Sequence, residues 1–384
     1  MLDVIDVLAD LVAIPSVNPM GSESKEPEFG EARVAEYVAA FLTRHGIGPE
    51  RQTVSPERQN IIGHVAGRSR EGSILFETHM DTVRVDNMEI APFDPVQRDG
   101  RLYGRGACDA KASLAAMLVA LVEARRRTPA VDVWLCAAVD EEYTFGGAAH
   151  LVRSGFRAGC ALVGEPTRLN VVTAHKGAAR WRLTAHGRSA HSAMPWEGEN
   201  AIYKMARVVG VLERHAAELQ AAPPHPRLGP RTLNVGTIEG GQTVNTVPDR
   251  CSITVDRRVL PGEDLQAVAG SIESLLRSQR LENLVDVAEI LRDPPMETPS
   301  DGPWARAVLA AARAVIPAEA IAAHYGTDAS KFAAVGMSSV VIGPGDIAQA
   351  HTANEWVDIA ETRAAVEVYL RVLDEPWMSP SAGV

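Results

Sequence analysis

Two histidines and five carboxylates stand at the points where apolar runs of this chain turn polar. His79 and Asp81 lie in "FETHMDTV", Asp109 in "GRGACDAKAS", Glu141 and Glu142 in "VDEEYTFGG", Glu165 in "LVGEPT" and His351 in "AHTANEW". Carboxylates gathered at one edge repel one another and lose hydration as they are enclosed, so the set calls for divalent cations. Imidazole and carboxylate donors without a thiolate set suit zinc, and cobalt or manganese accept the same donors. His79 and Asp81 are two apart, so on an extended strand both side chains face one way. Either both bind metal, or His79 binds it while Asp81 accepts the other ring N–H and fixes the tautomer; the second reading is preferred, since a ligand histidine without such a partner is unusual. Asp140, beside the two glutamates, reads as a structural hydrogen-bond acceptor.

The elements that must position these residues alternate in texture. "SILFETHM" (73–80), "VDVWLCAAV" (131–139), "CALVGEP" (160–166) and "SSVVIGPG" (338–345) are nearly continuous apolar runs, as in strands of a largely parallel sheet buried on both faces. Between them "AKASLAAMLVALVEARRR" predicts a helix with an apolar stripe and a basic last turn, and "EFGEARVAEYVAAFLTRHG" predicts another closed by Gly46. Helices are expected on both faces of the sheet, and open α/β sheets place ligands at the strands' carboxyl ends.

From residue 178 the pattern changes. "ARWRLTAHG" alternates with period two, and "NAIYKMARVVGVLERHAAEL" follows as a helix. Two strand patterns, "RTLNVGTIE" and "RCSITVDRRVL", come next, then one helix, "EDLQAVAGSIESLLRSQR", and a last strand, "NLVDVAEIL". The order β-α-β-β-α-β is that of a ferredoxin-like unit. The expectation is a discontinuous α/β domain, residues 1–177 and 294–384, interrupted by an α+β domain over 178–293.

The chain has 384 residues, 46% hydrophobic and 23% charged, with a net charge of −11. That acidity argues against nucleic acid and anionic membrane as partners, both of which need clustered Lys and Arg. No run approaches the roughly 18 apolar residues that span a bilayer, and the acidic start "MLDVIDVLADLVAIPSV" lacks the basic head of a secretory signal. Cys108, Cys136, Cys160 and Cys251 lie far apart without CxxC spacing, as reduced thiols of a cytoplasmic protein do.

The ordered set "HMD", "GRGACDAK", "DEE", "GEPT", "GRSAHS", "DRRVLPG" and "AHTANEW" resembles the di-zinc metallopeptidase and amidohydrolase family of acetylornithine deacetylase, succinyl-diaminopimelate desuccinylase, aminoacylase and carboxypeptidase G. The resemblance covers nearly the whole chain. It implies a zinc-peptidase-like catalytic domain and an inserted domain that serves as lid and homodimer contact. It implies two metal ions: Asp109 bridges them, His79 and Glu165 complete one site, and Glu142 and His351 complete the other. Glu141 is then the general base, Asp81 the partner of His79, and the Asp109–Ala110 peptide is cis. His191 of "SAHS" reaches the partner's active site, Asn245 and Arg258 contact the substrate's carbonyl or carboxylate, and Gly326 and Thr327 lie on a substrate-facing loop. Without the resemblance, Asn245 reads as a turn residue, Arg258 as a partner of Asp256, and His191 as an ordinary loop histidine. The chain departs from the pattern at Thr78, at Ala112 and at Cys108, none of which is a ligand position.

The implied reaction is hydrolysis of an N-acyl amino acid by di-metal-activated water, with "DRRVLPG" and "YGTDA" closest to acetylornithine deacetylase. The alternatives are a dipeptidase or carboxypeptidase with the same centre, or a metal-binding relative without turnover.

Overall fold

The computed structural model describes residues 2–21 and 26–374. The strand Ser69–His79 runs parallel to Val131–Ala138 on one side and to Cys160–Val163 on the other, and Cys160–Val163 runs parallel to Ser338–Val341. Ile74 and Phe76 sit in the main apolar cluster with Val133 and Leu135, while Leu75 between them is equally buried on the opposite face. Both faces are therefore covered, as the continuous apolar runs require. The register is what matters for the site. His79 pairs with Ala138, Glu77 with Val163, and Val163 with Val341, so the chain leaves four neighbouring strands at one level.

Antiparallel strands flank this parallel centre. Glu50–Ser55 and Arg58–Val65 form a hairpin that joins the sheet through Val131–Ala138, and Val172 pairs antiparallel to Val341. A separate small sheet joins Val96–Arg98, Arg101–Tyr103 and Trp356–Asp358. The helix Ala112–Arg127 is buried from Ala112 through Ala124 on every side, not along one stripe. Its small residues, such as Ala115, Ala116 and Ala120, let neighbours approach all round, and only the basic last turn reaches solvent.

By internal contacts the chain divides into two units. One comprises Met1–Thr173, Glu297–Ile321 and Thr327–Val384, and the other Ala174–Met296 and Ala322–Gly326. In the second, four antiparallel strands follow the order Thr232–Gly240, Arg250–Val259, Gly177–His186, Val285–Asp293. Trp181, Leu183 and Ala185 alternate into its core against Ala201, Met205, Val208 and Leu212 of the helix Ala201–Ala221. The expected single helix after Val259 is two, Leu265–Ala269 and Ser271–Ser278, separated at Gly270. Glycine's helix penalty of about 1 kcal/mol favours the break there, although the apolar spacing runs on. Among the described residues, no helix is long and apolar enough to cross a membrane.

Candidate metal centre

The shared register delivers the polar residues to one place. His79 ends its strand, Glu165 follows Val163 by two residues, and Glu141 and Glu142 follow Ala138 by three and four. Asp109 sits in a tight turn at the head of the buried helix, where the Asp109–Ala110 peptide is cis. His351 comes from the loop after Ser338–Val341, with a backbone φ of 61°. The two oxygens of Asp109 divide between the histidines: Oδ1 lies 3.2 Å from His79 Nε2 and Oδ2 3.2 Å from His351 Nε2. Glu165 Oε1 is 3.7 Å from His79 Nε2, and Glu142 Oε1 is 3.2 Å from His351 Nε2. Two donor groups result, His79–Glu141–Glu165 and Asp109–Glu142–His351, each with its ligand atoms within 4.8 Å of one another.

Enclosing so many carboxyls has an electrostatic cost. Burial pushes Glu141 and Glu165 well above the usual carboxylate range, and the neighbouring carboxylates Glu165 and Asp109 add to the respective shifts. Burial, then Asp109, raises Glu142 to about 7. Hydrogen bonds to Asp109 and Glu142 hold His351 up at about 10. Burial works against a charged His79, yet Asp109 and Asp81 outweigh it and raise its pKa. Burial likewise opposes ionisation of Asp109, but the two histidines overcome it and hold that carboxyl low. Carboxyls so enclosed around two histidines need positive charge to offset their repulsion, which fits divalent cations in this donor set. The thiols do not compete: all four cysteines are free and buried, and Cys108 Sγ donates to the Asp346 carbonyl at 3.3 Å.

His79 Nδ1 donates to the main-chain carbonyl of Asp81 at 2.9 Å, and Nε2 faces Asp109. The Asp81 carboxylate is farther from that ring nitrogen, at 3.5 Å. The expected partner is therefore the backbone of Asp81 more than its side chain. Its side chain holds the next turn instead, accepting the N–H groups of Glu141 at 3.2 Å and Glu142 at 3.1 Å. Asn18, fully buried, donates to Asp81 at 2.7 Å and to Asp140 at 3.0 Å. Arg58 donates to Asp140 at 2.8 Å, and Glu31 pairs with Arg58 while accepting the Asp140 N–H at 3.1 Å. Asp140 is thus an acceptor in the frame that fixes the two glutamates. Asn18, Arg58 and Glu31 were missed in the sequence, where each stands alone in a loop, at a strand start or at a helix start.

The remaining expected residues come from other segments. His191, Asn245 and Arg258 belong to the inserted unit. His191 is exposed, and its Nδ1 accepts the Ala193 N–H at 3.0 Å, so its proton sits on Nε2 as a donor. Asn245 is exposed, and its carbonyl accepts the Ser192 N–H at 3.0 Å, tying the loop of Asn245 to that of His191. Arg258 Nε pairs with Asp256 at 3.0 Å, and Arg180 takes the other oxygen of Asp256 at 2.8 Å. Thr327 is buried, with its hydroxyl accepting the Ala329 N–H at 3.2 Å; Gly326 precedes it in the second unit.

The family model described as Peptidase family M20/M25/M40 matches residues 75–375. An acetylornithine deacetylase of Myxococcus xanthus is 33% identical over 338 residues, covering 85% of this chain and 87% of that protein. A probable carboxypeptidase of Aspergillus flavus is 30% identical over 403 residues, covering 94% of this chain and 88% of that protein. An M20 family metallo-carboxypeptidase from Sulfolobus solfataricus superposes with a TM-score of 0.83 at 18% identity, over 98% of this chain and 99% of that one.

Proposed function

The chain belongs to Peptidase family M20/M25/M40, and from that premise we propose that it hydrolyses the amide bond of an N-acyl amino acid at a centre for two divalent metal ions, zinc above all. The observation that carries this reading is the divided carboxylate of Asp109, one oxygen toward each histidine. Asp109 would be shared between the two ions, His79 and Glu165 would hold one, and Glu142 and His351 would hold the other. Bound there, the ions supply Lewis acidity, polarising a carbonyl and lowering the pKa of water. Glu141, whose carboxyl is raised by burial, takes a proton from the attacking water and returns it to the departing amine. The Nε2–H of His191 covers the developing oxyanion. Arg258 and Asn245 bind the carboxylate and carbonyl of the substrate, and Gly326 and Thr327 line its approach.

The inserted domain, near residues 178–293, acts as lid and homodimer contact on this reading, and His191 is offered to a partner subunit. The four free thiols suit a reducing cytoplasm. The second reading, a carboxypeptidase or dipeptidase with the same centre, is favoured by the 30% identity to the probable carboxypeptidase of Aspergillus flavus. Zinc- or cobalt-loaded protein assayed on N-acetyl, N-succinyl and N-formyl amino acids and on dipeptides separates the two. Preference for the N-acyl series supports deacylation, and preference for dipeptides transfers the assignment to the second reading. Turnover of neither by the metal-loaded protein overturns both.

A further inference from the structure

Glu355 has no place in the ligand set, yet its carboxylate is among the most enclosed in the chain. Both it and Arg105 are 1% exposed. The small three-stranded sheet brings them together from 250 residues apart: Trp356 pairs with Tyr103, and the Gly104 N–H donates to the Glu355 carbonyl at 3.1 Å. Arg105 Nη1 then donates to Glu355 Oε2 at 2.7 Å, and the Gly106 N–H donates to the same oxygen at 3.0 Å. The second oxygen, Oε1, accepts the N–H of Cys108 at 2.9 Å and of Asp109 at 3.0 Å. One carboxylate thus takes four hydrogen bonds from the turn that aims Asp109. Losing this carboxylate takes an acceptor from three main-chain N–H groups of the turn, and a buried N–H left unpaired is costly.

The same frame reaches His351. Arg105 Nη2 donates to Asn87 Oδ1 at 3.2 Å, and Asn87 Nδ2 donates to the main-chain carbonyl of His351 at 3.2 Å. The loop of His351 is the exposed side of the centre, its imidazole side chain 52% accessible against 1% for His79. His79 is fixed by its own strand, whereas His351 relies on its loop.

We propose that Glu355, acting through Arg105 and Asn87, is a positioning residue that sets Asp109 against His351 and so governs the affinity and geometry of the metal on the His351 side. This rests on the di-metal reading above. The ligands keep their identity when the frame is cut, but the spacing of the second group is no longer held. Outer partners of this kind are worth about 10–100-fold in metal affinity.

The test is titration of metal-stripped, full-length protein with Co²⁺, followed by calorimetry and by visible absorption of the bound ion. Wild type takes two equivalents, and His351→Ala identifies the one that belongs to that side. Glu355→Gln, which turns one acceptor oxygen into a donor, weakens that equivalent by about 10–100-fold and alters its absorption bands. The other equivalent is retained. Asn87→Ala, at an exposed residue that leaves Glu355 intact, weakens the same equivalent by a smaller factor and decides the matter if Glu355→Gln does not fold. Wild-type affinity and spectrum for both equivalents in the variants, whatever happens to thermal stability, overturns the proposal. Equal weakening of the two equivalents overturns it as well. A wild type that takes fewer than two equivalents would instead refute the di-metal reading itself.

Discussion

Glu141 and Glu142 are chemically the same residue, but their surroundings differ. Glu142 faces His351 within 3.2 Å, while Glu141 stands among His79 and Glu165 with its carboxyl raised by burial. Glu141→Gln keeps the size and one acceptor but cannot carry a proton. It is expected to retain bound metal by elemental analysis and to lose turnover by at least about 10²–10⁴-fold, the usual share of a general base. His191→Ala is expected to leave metal content unchanged and lower kcat by about 10²–10³-fold, as for a lost oxyanion donor. Asp81→Asn addresses the turn: one of the two N–H acceptors becomes a donor facing donors, so metal affinity falls by about 10–100-fold in a chelator competition assay. The ligand types were legible in the sequence because histidines and acids closing apolar runs are conspicuous. The residues that hold them were not, because Asn18 touches Asp140 across 122 positions and Arg105 touches Glu355 across 250. Spacing along the chain carries no trace of such contacts.

At the scale of elements, the buried helix Ala112–Arg127 and the turn before it form the rear wall of the centre. Lys111 lies at their junction, fully enclosed, and its Nζ donates to the carbonyls of Leu11 at 3.0 Å and Ile14 at 2.7 Å. A donor at those carbonyls adds to the cap of the helix Val4–Ala13, where the Ile14 N–H already donates to the Leu11 carbonyl at 3.2 Å. Burial pushes the Lys111 ammonium down to about 7, and the neutral amine still donates. Lys111→Met removes both bonds, and although the Leu11 carbonyl keeps the Ile14 N–H, the Ile14 carbonyl loses its Lys111 donor, a loss of about 1–3 kcal/mol. Thermal unfolding should show it as a midpoint lower by several degrees. The parallel strands were visible in the sequence as apolar runs. The hairpin Glu50–Val65 was not, because no residue of its outer strand is buried and its residues ERQTVS carry no apolar alternation. The break at Gly270 was hidden for the opposite reason, since the apolar spacing continues across it.

For the whole molecule the balance of protons and metal is the controlling quantity. Without metal the centre holds protons on His351, which titrates at about 10, and on Glu142, which titrates at about 7. Ligands bind metal only after losing them, so loading must expel protons. The metal-free state binds more protons than the loaded one, and affinity therefore rises with pH between about 7 and about 10 and falls as the solution is acidified. Calorimetry of metal binding in buffers of different ionisation enthalpy measures the number released; no dependence on buffer would contradict the arrangement of charges described above.

The reach of the ligand set along the chain has a mechanical consequence. His79 and Asp109 are 30 positions apart, and Glu142 and His351 are 209 apart. On the di-metal reading, an ion shared among them would be a removable cross-link that closes one short loop and one spanning more than half of the polypeptide, restraining the unfolded chain as a covalent tie would. Free metal in the surroundings would then set how long the molecule survives heat as well as whether it turns over, because every ion that binds only the folded form draws the equilibrium toward it.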